Sequence, residues 1–206
     1  MHQDDADRFV VDGLTVRILY DNEDPINPRK EWDNAGTMVC FHRNYLLGDK
    51  HSFSVQEAQD EARRIEAEGG IVLPLYLYDH SGITMRTSPF SCPWDSGQVG
   101  LIWITADKIR KEYGVKRITK TTRKKATEML VSEVEAYDSY LTGECYGFIV
   151  EDADGEQIDS CWGFLGDIKY CREEATSAAK NAAARIAEQT ALGETPAQKW
   201  GAEHNV

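Results

Sequence analysis

"IVLPLYLYDHSGITMRTSP", residues Ile71–Pro89, decides the fold. A run of branched and aromatic residues reaches Asp79, breaks at His80-Ser81-Gly82 and resumes at Ile83. Strand formers on both sides of a short, glycine-bearing break read as a hairpin. So short a link joins antiparallel neighbours, because a parallel pair needs a crossover of about a dozen residues. The same design recurs on both sides. Arg8–Tyr20 is two extended arms about Asp12-Gly13, and Cys145–Gly166 is two more about Asp154-Gly155. Asp-Gly supplies the positive φ of a tight turn. Thr37–Leu47 and Val99–Ile104 read as further strands.

Helices separate the hairpins. Ser54 and Glu57 form a capping box, and Val55, Ala58, Ala62 and Ile65 recur at helical spacing until Gly69-Gly70 ends the element. Ala106–Tyr113, capped by Thr105 and stopped by Gly114, is a short helix. From Thr121 to Leu141 the stripe Ala126, Leu130, Val134, Tyr137 predicts a long one ending at Gly143. Asp167 caps an alanine-rich helix running to Leu192, in which Ala175, Ala178, Ala179, Ala182 and Ile186 favour close packing. Asp21–Gly36, punctuated by Pro25 and Pro28, reads as a loop. Hairpins and helices without regular β-α-β alternation predict an α+β fold. It is expected to be an antiparallel or mixed sheet built from hairpins, with about four helices packed mainly on one face. No linker divides the chain, so residues 1–192 are expected to form a single domain. Residues 193–206, with Trp200, are expected to form a flexible C-terminal tail.

The chain of 206 residues, 41% hydrophobic, is long enough to bury a core. Its net charge of -12 suits a soluble protein and works against non-specific binding of nucleic acid or anionic membrane by the whole surface. No run approaches the roughly 18 apolar residues of a membrane span. Met1–Asp7 is acidic and polar, the reverse of a signal peptide, so a cytoplasmic location is expected. Five cysteines, an odd number, fit reduced thiols better than a disulfide framework. Neither G-x-G-x-x-G nor a Walker motif follows any strand, which argues against a nucleotide-binding doubly wound fold.

"SPFSCPWDSGQVG", Ser88–Gly100, is the stretch most like chemistry. A cysteine hydrolase needs a thiol beside a base, with an orienting group behind it. Cys92 would draw on His80 or His42, with Asp79 or Asp95 as orienter. But Pro93 holds Cys92 extended, and no helix N-terminus lies there to favour a thiolate. Pro89 and Pro93 fix φ, Asp95-Ser96-Gly97 turns the chain and Trp94 caps the core edge. The stretch is therefore read as a structural corner, and no catalytic residue is assigned. His42, Asp79, His80, Cys92, Trp94 and Asp95 stand as the candidate binding residues.

Metal chemistry fares no better. Cys40 and His42, at i and i+2, would share one side of a strand, and thiolate with imidazole suits zinc. The usual C-x-x-C and H-x-x-x-H spacings are missing, so neither a metal nor a cofactor is expected. Asp152-Ala153-Asp154-Gly155-Glu156 resembles the start of a calcium loop but has Gly163 where the twelfth-position glutamate belongs, and reads as a hairpin turn.

Charge is unevenly spread. Between Asp107 and Lys125 lie Lys108, Arg110, Lys111, Lys116, Arg117, Lys120, Arg123, Lys124 and Lys125, against Asp107 and Glu112. This face suits phosphate contacts, but around Ile109, Tyr113 and Ile118 the solvated sides of two helices are the preferred reading. The acidic remainder suits a basic groove on another protein.

The blocks "LPLYLYDHSGITMRTSPFSCPWDSGQVG" and "YLTGECYGFIVEDADGEQIDSCWGFLGD" resemble an uncharacterised family of small accessory proteins of bacteriophages and mobile elements, over Asp21–Ala175. The resemblance implies a setting, the cytoplasm of a bacterial host, and no activity or site residues.

Three functions follow as expectations. The first, which is preferred, is a non-enzymatic protein that binds and modulates a host protein, such as a defence or nucleic-acid-processing enzyme, through its acidic surface. The second is a nucleic-acid-binding accessory protein using Lys108–Lys125. The third is a small hydrolase or ligand binder centred on Cys92 and His80. None involves a membrane.

Overall fold

The computed structural model describes residues 5–192; the tail expected at 193–206, Trp200 included, lies outside the described residues. In chain order the elements are β1 (Asp5–Val11), β2 (Leu14–Tyr20), α1 (Pro28–Glu31), β3 (Thr37–Cys40), α2 (Val55–Ala67), β4 (Ile71–Asp79) and β5 (Ile83–Arg86). Then come β6 (Ser96–Ile104), α3 (Ala106–Glu112), α4 (Lys120–Thr142), β7 (Cys145–Glu151), β8 (Gln157–Leu165) and α5 (Ile168–Ala191). The class is α+β. Among the described residues every strand pairing is antiparallel, in two four-stranded sheets. Two compact units result: Met1–Pro25 with Glu144–Val206, and Ile26–Gly143.

The first unit is the sheet β1-β2-β7-β8 with α5 on one face. Asp12 (φ 49°) and Gly13 (φ 85°) make the β1–β2 turn, both with the positive φ that a two-residue hairpin requires. Val16 and Ile18 of β2 and Phe148 and Val150 of β7 alternate onto the helix side. They meet Cys171, Ala175, Ala179 and Ala182, each fully buried at three- and four-residue spacing. Small side chains there bring the helix close to the sheet. The edge strands are β1 and β8. On each, an aspartate takes the N–H of the next residue: Arg8 N–H donates to Asp7 Oδ1 (2.8 Å) and Ser160 N–H to Asp159 Oδ1 (2.9 Å).

The second unit is the sheet β3-β6-β4-β5. Its two central strands read "IVLPLYLYD" and "SGQVGLIWI", with apolar residues facing both ways. Both faces must therefore be covered. Ala126, Leu130, Val134 and Tyr137 of α4 pack with Met38, Leu75, Leu77, Met85 and Ile102, while Ala58 and Ile65 of α2 pack with Val39 and Trp103. This differs from the expected one-faced packing, since α2 takes the opposite face. The capping box on α2 is formed, with Ser54 N–H to Glu57 Oε2 at 2.8 Å; such a cap stabilises a helix by about 1 kcal/mol.

Besides small shifts, such as β1 beginning at Asp5 and β5 ending at Arg86, three features depart from the sequence reading. The Asp21–Gly36 loop contains one turn of helix, α1, because Asn27 caps it and Pro28 supplies a pre-set φ at its first position. β3 stops at Cys40 instead of Leu47, because Asp49 N–H returns to Met38 O (2.8 Å) and makes Phe41–Leu47 an excursion. β6 begins at Ser96, before Val99, because Tyr78 pairs with Ser96 across a register shift at Leu75/Tyr76.

A buried cation ties α1 to α4. Arg29 donates to Asp49 Oδ1 (2.9 Å) and Oδ2 (2.7 Å), Glu133 Oε2 (2.8 Å) and Gly36 O (2.9 Å). Glu133 also accepts Ala35 N–H (2.7 Å), and Asp49 accepts Met38 N–H (2.8 Å). Burial works against the guanidinium charge, but the two carboxylates outweigh it and hold its pKa above the ordinary value.

Candidate functional site

The predicted residues meet where β4 ends and β6 begins. Asp79 N–H donates to Asp95 O at 2.8 Å, joining the two strand ends. Asp95 Oδ2 stands 3.3 Å from His80 Nδ1 and 3.8 Å from Cys92 Sγ. Ser96 Oγ donates to Cys92 O, so the segment folds onto itself. From the β3–α2 loop, Tyr45 OH donates to Asp79 Oδ1 (3.4 Å), and its ring stacks on His42 with centroids 4.9 Å apart. Arg86 lies over the Phe90 ring, 3.9 Å from its centroid, and Phe90 meets Tyr78, pinning the approach to Cys92. Thus His42, Asp79, His80, Cys92 and Asp95 belong to one linked group. Trp94 stands beside it 91% exposed, as does Leu46 at 104%.

The order of contacts governs what this group can do. A nucleophilic thiol needs the imidazole next to it, with the carboxylate behind. Here the carboxylate of Asp95 occupies the middle, and His80, its side chain 65% exposed, lies on the far side of it. The arrangement is a hydrogen-bonded surface with exposed apolar side chains. Cys40 and His42 do not share a strand face as the i, i+2 spacing suggested, because β3 ends at Cys40. Cys40 is buried, and burial, reinforced by Asp49, pushes its thiol up to about 12. Among the described residues no three His, Cys, Asp or Glu side chains converge on a metal position. Asp152 Oδ1 is taken by the N–H groups of Asp154 and Glu156 (both 2.9 Å), so the calcium-like segment closes as a turn of its own.

The nine basic residues lie along α3, the following loop and the first turns of α4. Four are engaged within the chain. Lys108 reaches Asn34 O (2.8 Å), Arg110 pairs with Asp107, Arg123 holds Gly69 O (2.7 Å) and Gly70 O (3.0 Å), and Lys124 stands 3.7 Å from Glu128. Lys111, Lys116, Arg117, Lys120 and Lys125 are exposed. The first turn of α4 has no acidic residue to complement the helix dipole.

In the first unit, carboxylates gather at the turns. Thr15 pairs with Glu151, which sets Asp12 of one turn near Asp152, Asp154 and Glu156 of the other. A cleft of about 510 Å³ opens between β8 and α5. Phe148, Phe164 and Ala178 give it an apolar base, and Asp159, Glu174 and Arg185 are its charged groups. In the second unit, a smaller cavity of about 340 Å³ between α2 and β6, lined by Phe41, Val55 and Leu101 among others, carries no ionisable group.

No protein-family model, curated protein or solved structure matches the chain. Sequence reading missed Tyr45, which links His42 to Asp79, and the whole β8–α5 cleft. Tyr45 gave no periodic signal because it lies in an irregular loop. Asp159 and Cys161 do alternate with Ser160 and Trp162, and that period of two was the one available sign of a shared face.

Proposed function

We propose that the protein acts by binding another protein, one with a basic surface, through its acidic first unit. The division of charge supports this reading. The segments of the first unit hold nineteen Asp and Glu against seven Lys and Arg, a net of -12, whereas Ile26–Gly143 holds sixteen of each. Residues 5–25 and 144–192, the described part of those segments, hold sixteen Asp and Glu against six Lys and Arg, a net of -10. Most of the excess thus sits on one sheet-and-helix unit, where complementary charge steers encounter and selects partners. In the setting that the phage-type resemblance implies, the partner is a host protein, a defence or nucleic-acid-processing enzyme. The test is capture from bacterial lysate at about 0.15 M and about 0.5 M salt, followed by mass spectrometry. Basic partners retained at the lower salt and lost from a variant with charge reversed across the unit, Asp12→Lys/Asp154→Lys/Glu156→Lys/Asp159→Lys/Glu174→Lys, support it; an identical set from that variant overturns it.

A second reading is nucleic-acid binding through the α3–α4 corner. It is favoured by the exposed Lys111, Lys116, Arg117, Lys120 and Lys125 beside a helix start without acids. It predicts affinity for a duplex that falls steeply with salt and weakens in Arg117→Ala/Lys120→Ala.

A further inference from the structure

We propose that the cleft between β8 and α5 receives an extended basic segment of the partner protein, with an arginine or lysine stem on its apolar base and the cation at Asp159 and Glu174. This inference rests on the acidic-unit reading and gives that reading a place. The cleft, about 510 Å³, lies within the roughly 300–1,000 Å³ of ligand clefts. Its base is apolar: Phe148 is buried and its ring meets Phe164 at 5.8 Å. Long basic side chains lay their methylenes on such surface while the charged head stays at a polar rim.

The rim is under-neutralised. Arg185 Nη2 stands 4.0 Å from Asp159 Oδ2, the outer limit of an ion pair. The Glu174 carboxylate, on the exposed side of α5, has no ion pair or hydrogen bond among the described residues. The chain thus places its own guanidinium loosely where a partner's would sit.

The partner segment is extended because the cleft runs along a sheet edge. β8 pairs with β7 on one side, and none of its residues is buried. Between its two register shifts, Asp159–Trp162 keep regular antiparallel register with β7. Ser160 N–H makes do with Asp159 Oδ1. A strand laid along β8 offers a carbonyl to that N–H and frees the carboxylate for the cation, the strand-addition mode of peptide binding.

The experiment titrates the full chain with a synthetic peptide of alternating valine and arginine, its valine–glutamate counterpart, and spermidine, by calorimetry and amide chemical shifts. The expected result is binding of the arginine peptide alone, with shifts gathered on 157–165 and 174–185. Asp159→Asn/Glu174→Gln, which keeps an acceptor for Ser160 N–H, should weaken binding about tenfold. Asn181→Trp, an exposed helix position that fills the cleft, should abolish it, while Asp154→Asn/Glu156→Gln should change it little. Equal binding of spermidine at the same residues, or self-association blocked by Asn181→Trp, assigns the cleft to another occupant and overturns the proposal. Shifts confined to the turns at 12–13 and 152–156 overturn it while leaving the acidic-unit reading intact. A chain that captures basic proteins from lysate yet binds no peptide at the cleft does the same.

Discussion

Arg29 Nη1 meets Glu133 Oε2 at 2.8 Å, joining a one-turn helix near the start of the second unit to the middle of its longest helix. Breaking a buried pair from one side leaves the other charge stranded, at a cost of about 3–5 kcal/mol. Glu133→Gln should reduce the urea-unfolding free energy by an amount near the lower end, because Asp49 still faces Arg29. Arg29→Ala should approach the upper end, because it strands two carboxylates.

Two glycines hold strands and rings close. A Cβ at Gly100 would run into the Val39 carbonyl, and one at Gly147 into the Trp162 ring. Gly100→Ala meets backbone and should lower stability by about 2 kcal/mol or more, read by thermal melting. Gly147→Ala meets a side chain 41% exposed, so it should displace Trp162 and shift its fluorescence with a smaller loss of stability.

None of the five cysteines forms a disulfide. Native Ellman titration should find Cys161 fast, Cys92 slower and Cys40, Cys145 and Cys171 unreactive until unfolding.

The same buried thiols predict alkaline sensitivity. Burial pushes Cys171 and Cys40 up to about 12 and Cys145 up to about 11, from an ordinary 9.0. Above pH 9 the unfolded chain ionises these groups while the folded chain keeps them protonated. Their stabilisation is complete below pH 9 and is lost as pH climbs through 11 and 12. The melting temperature should fall over that window, and less steeply in Cys171→Ala.

Cys92→Ser removes one weak contact to Asp95 at a half-exposed position. It should change stability by no more than about 0.5 kcal/mol and leave partner capture unchanged. Loss of an assayed hydrolytic activity at unchanged melting temperature would reinstate the cysteine-enzyme reading.

What the sequence shows legibly here is what local chemistry decides. The Ser54–Glu57 box, the Asp12-Gly13 turn and the left-handed Gly143 after α4 are set by backbone groups a few residues away. The division into two sheets is not local. β2 finds β7 from the far end of the chain, and the junctions at Pro25 and Gly143 are an ordinary loop and helix cap with no linker composition. The β4–β6 corner was half legible. Asp79, His80, Cys92 and Asp95 lie close in sequence, whereas the Tyr45 contact depends on Asp49 turning the chain back to Met38.

The interleaving of the two units sets an order of events on the ribosome. The β1–β2 hairpin is made before residues 26–143, yet its apolar side, Val16 and Ile18, is roofed only by β7 and α5. A lone two-stranded hairpin is marginal in water. The nascent chain therefore carries an open, sticky ribbon throughout synthesis of residues 26–143, and closes it after the inserted unit has left the exit tunnel. Asp21 N–H bound to Cys145 O (2.8 Å) is the stitch that marks completion.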